Sequence, residues 1–231
     1  MIRFIVFDLD GTLVDSRRDL AESANTLLAE CGCATQPEEA IGRMVGDGAA
    51  TLVARAFASG GCPPPPDALA RFLAIYHARL LKFTRPYERV DEVLEALEPR
   101  MPLAVLTNKP LASTRYILDG LDLARFFQSD LVAGGDGPHA RKPDPSGLTA
   151  LCDRVGVDPA STLMVGDSVV DWQTARAAGT RVCLASYGFG FESVPTVMPS
   201  DASRRSVEVK SSIPVSSNSH AESTRCITVP S

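Results

Sequence analysis

The sequence predicts an α/β protein in which helices cover both faces of a parallel β-sheet. Short runs that are apolar throughout alternate with longer segments whose apolar residues recur with the period of a helix. A strand that is apolar on both sides is buried on both faces, which is typical of parallel sheets. The predicted strands lie at residues 3–9, 103–106, 130–133, 162–165 and 181–185, and the predicted helices at 88–98, 110–119, 145–155 and 169–178. Together they predict a Rossmann-like core.

One segment departs from this alternation. Residues 16–85 contain only helical patterns, interrupted by a glycine pair at 60–61 and a proline run at 63–66. We expect this segment to form an all-helical cap domain inserted into the core. The predicted core then consists of residues 1–15 and 86–191.

Residues 192–231 differ in composition from the rest of the chain, since they contain 11 serines but no leucine and no aromatic residue. Such a segment buries too little apolar area to offset the entropy lost on ordering. We expect it to be mostly disordered, with at most a weak strand at Val207–Val209. It would carry no catalytic group and would leave an edge of the sheet uncovered.

Charge and composition exclude several classes of protein. A net charge of −5 and a pI near 5.3 argue against a nucleic-acid or membrane-surface binder, which needs a basic face. No apolar run approaches the roughly 20 residues that cross a bilayer, and the first residues do not resemble a secretion signal. We expect a cytoplasmic monomer or homodimer whose six sparse cysteines are free thiols.

The end of the first predicted strand carries two acidic residues. Asp8 and Asp10 point the same way because side-chain direction alternates along a strand, and Gly11 follows them in a turn. Ligands of parallel sheets bind at the carboxyl ends of the strands. Two converging carboxylates repel each other unless a cation lies between them. Taken alone, these residues also fit a turn followed by a helix-capping acid.

Polar residues follow other predicted strands as well. They are Thr107 and Asn108 after the second strand, Lys142 just before a helix, and Asp167, Ser168 and Asp171 after the fourth strand. Each has a structural explanation by itself, such as an N-cap for Ser168 and a first-turn acid for Asp171. Four such clusters at four strand ends indicate a site for a phosphoryl group.

As a set, these clusters resemble the four motifs of the haloacid dehalogenase superfamily of phosphatases. The resemblance covers residues 1 to about 191. Within the superfamily, several segments are similar to phosphoglycolate phosphatases. These segments are Asp10–Ser16, Val45–Gly48, Arg85–Tyr87, Leu106–Pro110, Gly134–Asp136 and Tyr187–Phe189.

The resemblance implies a two-step phosphoryl transfer without an organic cofactor. Asp8 would be the nucleophile that forms an aspartyl-phosphate, and Asp10 would be the general acid and base. Mg²⁺ would be held by Asp8, the backbone carbonyl of Asp10, and Asp167. Thr107, Asn108 and Lys142 would hold the phosphoryl oxygens, Asp171 would orient Lys142 or a water on the metal, and Gly11 and Ser168 would support them.

The cap is expected to select the substrate, a small phosphorylated metabolite. The resemblance implies 2-phosphoglycolate, with contacts from Gly46, Gly48 and Arg43. An arginine can bind a carboxylate with two parallel hydrogen bonds, and glycine lets the backbone approach a ligand closely. The sequence fits a second role for Arg43 equally well, that of a charged residue on the surface of a helix.

Other functions share these motifs. A phosphatase or mutase acting on a sugar or amino-sugar phosphate fits them too. A hydrolytic dehalogenase does not need Asp10, and a phosphonate hydrolase needs a cap lysine, whereas the first lysine of this chain is Lys82. A non-catalytic binding protein on this fold would be expected to have lost at least one of Asp8, Asp10, Lys142 and Asp167.

Overall fold

The structure is a computed structural model that describes residues 1–194 and 226–229. The strands are β1 (Phe4–Phe7), β2 (Val14–Asp15), β3 (Arg85–Pro86), β4 (Leu103–Leu106), β5 (Val132–Ala133), β6 (Thr162–Gly166), β7 (Arg181–Ala185) and β8 (Cys226–Val229). The α-helices are α1 (Arg17–Glu30), α2 (Glu38–Gly42), α3 (Ala49–Ser59), α4 (Ala68–His77), α5 (Val90–Leu97), α6 (Leu111–Gly120), α7 (Ser146–Val155) and α8 (Val169–Ala178). None of these helices is long and apolar enough to cross a bilayer.

The main sheet has the strand order β5-β4-β1-β6-β7-β8, and its first five strands are parallel. The predicted Rossmann-like core is confirmed. Successive side chains of β1 face opposite sides, so that Phe4 and Val6 pack with residues of α7 and α8 while Ile5 and Phe7 join the other apolar cluster. Because the chain leaves β1 towards β4 and later returns to β6, the carboxyl end of β1 lies at the topological switch point.

Helices α1 to α4 form the predicted helical cap. Strands β2 and β3 flank the cap segment and pair with each other antiparallel, Val14 with Pro86 and Asp15 with Arg85. The chain therefore leaves and re-enters the core at adjacent points. The division of the chain into domains at residues 16 and 85 stays a prediction.

Two expectations about the sheet need correction. The predicted strand at 130–133 starts only at Val132, because Ser129–Leu131 forms a turn of 3₁₀-helix. The edge at β7 is not left uncovered, since β8 pairs antiparallel with it. Residues 195–225, including the predicted weak strand at Val207–Val209, lie outside the described residues.

The expectation that all the cysteines are free thiols is wrong, since Cys33 and Cys62 form a disulfide. The two residues follow α1 and α3, and the Ala34 amide donates to the Gly60 carbonyl at 3.2 Å. This contact brings their Cα atoms to 6.1 Å, within the range a disulfide spans. The sequence spacing of 29 residues gave no sign of it.

A buried carboxylate fixes the base of the cap. Asp19 on α1 is fully buried, and its Oδ2 accepts hydrogen bonds from the amides of Phe83 (2.8 Å) and Thr84 (2.7 Å) and from the Thr84 hydroxyl (2.9 Å). These bonds tie the first cap helix to the segment that returns to β3.

Replacing this carboxylate is expected to destabilise the fold. Asp19→Ala leaves two backbone amides and a hydroxyl without their acceptor, which we expect to lower the free energy of unfolding by about 3 kcal/mol. Asp19→Asn keeps one acceptor oxygen, so its free energy of unfolding should fall by less. Urea unfolding measures both, and the exposed Asp119→Ala serves as control, with a change within about 0.5 kcal/mol. An unchanged urea midpoint for Asp19→Ala would contradict this account.

Candidate active site

The structure brings the predicted strand-end residues together at the carboxyl edge of the sheet. Asp8 follows β1, Thr107 follows β4 and Asp167 follows β6, and these three strands are neighbours. All three side chains are buried. The loop before α7 brings Lys142 to the same edge, with its Nζ 2.9 Å from Asp8 Oδ1. The site thus combines a buried carboxylate with a buried cation.

Asp171 holds this cation in place. Lys142 Nζ donates to Asp171 Oδ1 at 2.6 Å, while Asp171 Oδ2 accepts from the Ser168 hydroxyl (2.7 Å) and from the amides of Ser168 (3.1 Å) and Asp167 (3.2 Å). Ser168 is also the N-cap of α8, which was its structural explanation, and it forms a capping box with Asp171. The two carboxylates raise the pKa of Lys142 despite the lowering effect of burial, so the lysine stays charged.

Asp8, Asp167 and Asp171 form an acidic cluster whose ligand atoms lie within 4.8 Å of one another. Burial raises the pKa of Asp8 from 3.8 to about 6, although Lys142 opposes this shift. Burial, followed by repulsion from Asp171 and Asp8, raises the pKa of Asp167 well above its usual range. A cation between Asp8 and Asp167 would relieve this repulsion, and carboxylate oxygens are the donors that Mg²⁺ prefers.

Close backbone packing orients Asp167. Its Oδ2 accepts from the Gly190 amide at 2.7 Å. Gly11 has a φ of +84°, and a Cβ at this position would overlap the Asp167 carboxylate. The predicted supporting role of Gly11 therefore has a steric basis.

Asn108 has different partners from those expected of a phosphate ligand. Its side-chain amide donates to the backbone carbonyls of Gly46 (2.8 Å) and Lys142 (2.9 Å). Both amide hydrogens are thus used to join the cap loop and the lysine loop to the end of β4.

Sequence reasoning missed Lys109 as a site residue. Its buried Nζ lies 2.7 Å from both carboxylate oxygens of Asp10, and it donates to the Tyr76 hydroxyl on α4 at 2.8 Å. The Ser16 hydroxyl also donates to Asp10. The available signal was the rarity of lysine, since Lys109 is one of four in the chain and directly follows Thr107-Asn108.

The cap covers the site with a small apolar surface. Gly46 and Gly48 line the cavity, and Gly48 is the N-cap residue of α3. The apolar residues that line the cavity from the cap are Leu20, Val45, Ala49, Leu52, Phe72 and Leu73. Arg43 does not reach this cavity, because its side chain is 57% exposed and lies 4.0 Å from Glu192. Arg43 is thus a charged residue at the surface, which was the alternative to a role in substrate binding.

Comparison with known proteins agrees with this architecture. Residues 5–185 match the family of haloacid dehalogenase-like hydrolases. A phosphoglycolate phosphatase from Rhodospirillum rubrum is 45% identical over 206 residues, which cover 85% of each chain. Another from Pseudomonas syringae pv. tomato is 42% identical over 81% of this chain and 70% of its own length.

A solved structure is similar as well. The crystal structure of a predicted phosphoglycolate phosphatase from Haemophilus somnus has a TM-score of 0.77 and 32% identity, over 84% of this chain and 89% of its own. The family match spans the core strands from β1 to β7 and includes Asp8, Lys142 and Asp167. The chain belongs to the haloacid dehalogenase-like hydrolases.

Proposed function

We propose that this hydrolase is a Mg²⁺-dependent phosphatase that cleaves 2-phosphoglycolate to glycolate and phosphate. The observation that carries the proposal is the pairing of Asp8 with Lys142 beneath a cap cavity that also contains Asp10. A buried carboxylate beside a fixed cation can attack an anionic phosphoryl group whose charge the cation offsets. The names of the similar proteins support the same substrate.

The reaction proceeds in two steps. An Asp8 carboxylate oxygen bonds to phosphorus while the bond from phosphorus to the glycolate oxygen breaks, and Asp10 gives that oxygen a proton. Water then attacks the phosphorus of the aspartyl-phosphate, Asp10 takes its proton, and the Asp8 carboxylate is released. Both acids come from one strand end, so they face the same phosphoryl group.

Three groups are proposed to hold the transferring oxygens. They are the Thr107 hydroxyl, the backbone N–H of Asn108 and Lys142 Nζ. Fixed donors of this kind stabilise charge that accumulates on the phosphoryl oxygens in the transition state. Asp171 acts on the reaction through Lys142, which it orients at 2.6 Å.

The acidic cluster fits Mg²⁺. Asp8, the backbone carbonyl of Asp10, and Asp167 would hold the ion, while the oxygens of Asp171 are already taken by Lys142, Ser168 and the Asp167 amide. When bound, the ion offsets the repulsion between the nucleophile and the phosphoryl group.

The cap favours a substrate with few hydroxyl groups. Its cavity-facing side chains are apolar apart from Tyr76 among the described residues. A sugar bound there would leave hydroxyls unpaired, which costs about 1–3 kcal/mol for each buried group. We therefore propose a two-carbon substrate. We further propose that the protein acts in the cytoplasm as a monomer or homodimer, without nucleic-acid partners.

Substitution of the proposed nucleophile and of the proposed acid–base residue is expected to reduce turnover by different amounts. Asp8→Asn should abolish turnover, because an amide does not attack phosphorus. Asp10→Asn should lower kcat about 10²–10⁴-fold by removing proton transfer. Phosphate release from 2-phosphoglycolate and from para-nitrophenyl phosphate measures both, with the exposed Asp153→Asn as control. Substantial activity in pure, folded Asp8→Asn would exclude the covalent mechanism.

Burial of Asp8 predicts a pH-dependent stability difference in metal-free protein. The pKa of Asp8 is about 6 when folded and 3.8 when exposed, so the folded state binds more protons between these values. The stabilisation from protonation is complete below pH 3.8 and is lost as the pH rises through 6. Relative to Asp8→Asn, the free energy of unfolding of the wild type should fall by about 2 kcal/mol between pH 4 and pH 7.5. Urea unfolding at pH 4 and pH 7.5 in EDTA measures it, and a constant difference would contradict the prediction.

The substrate assignment has its own test. We expect kcat/KM to be higher for 2-phosphoglycolate than for glucose 6-phosphate, an amino-sugar phosphate or pyrophosphate, because the cap offers few partners for extra polar groups. Steady-state phosphate release with Mg²⁺ and with EDTA measures both preference and metal dependence. A preference for a sugar phosphate would support the alternative substrate class and overturn 2-phosphoglycolate.

A further inference from the structure

Lys109 is the cationic side chain of the cap cavity. Among the described residues that line the cavity, no other is an arginine or a lysine. Its Nζ is buried and is bonded to Asp10 and Tyr76. Burial lowers the pKa of Lys109, but Asp10 and Tyr76 together raise it above its usual value, so the lysine is charged.

Among the described residues, the other lysine that is buried faces Asp8 and Asp171. Lys142 Nζ lies 2.9 Å from Asp8 and 2.6 Å from Asp171, on the phosphoryl side of the site. An additional negative group on the substrate therefore finds its counter-charge at Lys109. Arg43 offers none, since it is at the surface.

Tyr76 adds a second donor from the cap. Its hydroxyl oxygen accepts the bond from Lys109, so its own hydrogen can be donated to a ligand. Burial raises the pKa of Tyr76 to about 12, which keeps this hydrogen in place at neutral pH. Lys109 comes from the core and Tyr76 from α4, so both donors converge only where cap and core meet.

We propose that Lys109 Nζ and the Tyr76 hydroxyl form the subsite that binds the carboxylate of the substrate. The proposal rests on the proposed phosphatase function and names the residues that select its substrate. Asp10 must contact the oxygen that leaves phosphorus, and Lys109 lies 2.7 Å from Asp10. In a two-carbon substrate the carboxylate is one methylene beyond that oxygen, which places it within reach of Lys109.

This arrangement links recognition to proton transfer. In the free enzyme Lys109 bonds to both Asp10 oxygens. A substrate carboxylate that takes one of these bonds leaves an Asp10 oxygen available to the leaving group. A phosphomonoester without a carboxylate leaves the pair of Lys109 and Asp10 unchanged.

The test compares two substrates of equal length, 2-phosphoglycolate and 2-hydroxyethyl phosphate, which has an uncharged hydroxymethyl group in place of the carboxylate. Lys109→Met is expected to lower kcat/KM at least about tenfold more for 2-phosphoglycolate, since a hydrogen bond to a charged group is lost. Tyr76→Phe should also lower the ratio of kcat/KM for 2-phosphoglycolate to kcat/KM for 2-hydroxyethyl phosphate, but by a smaller factor. The exposed Lys82→Met is the matched lysine control and should leave the ratio unchanged.

A second measurement tests carboxylate binding at the subsite without turnover of 2-phosphoglycolate. Glycolate should inhibit hydrolysis of 2-hydroxyethyl phosphate by the wild type competitively, and by Tyr76→Phe more weakly. Equal losses of kcat/KM for both substrates, in either variant, would overturn the proposal. If Lys109→Met does not fold, the Tyr76→Phe ratio decides by itself.

The outcomes also separate this proposal from the proposed function. A wild type that prefers sugar phosphates would refute the 2-phosphoglycolate assignment, whatever the variants do. A wild type that prefers 2-phosphoglycolate, with an unchanged ratio of the two kcat/KM values in either variant, would refute only the Lys109–Tyr76 subsite.

Discussion

Asp8 is buried at the end of the central strand, and the free energy needed to bury its charge constrains the elements around it. Lys142 offsets that charge, and it is shared with Asp171. Asp171 can hold the lysine because the first turn of α8 supplies hydrogen bonds to its other oxygen. The ends of β1 and β6, the loop before α7 and the start of α8 must therefore meet at one point.

The turn after β4 connects this charged centre to the cap. Asn108 donates to the Gly46 carbonyl of a cap loop, and Lys109 donates to Tyr76 on a cap helix. Lys109 also contacts Asp10, so the position of the cap and the surroundings of the Asp10 carboxylate depend on the same turn. An opening of the cap that separates Tyr76 from Lys109 removes one of the three acceptor atoms around this ammonium group, the other two being the Asp10 oxygens.

The base of the cap is held by different means. The short β2–β3 pairing and the Asp19 carboxylate keep the entry and exit of the cap segment adjacent. The apolar cluster continues from the sheet into the cap through residues such as Leu20, Phe57 and Phe72. The cap is therefore joined to the core by apolar packing as well as by polar contacts at the site.

The sequence by itself determined the order of strands and helices, because apolar runs and helical periodicity are local properties of the chain. It also predicted Asp8, Asp167 and Lys142 as neighbours, since the carboxyl ends of parallel strands share one edge. It did not predict the pairing of Cys33 with Cys62 or the strand β8, both of which depend on contacts between distant segments. Only the tertiary structure decided which cation lines the cap cavity, Lys109 and not Arg43, because the direction of a long side chain depends on how the cap packs against the core.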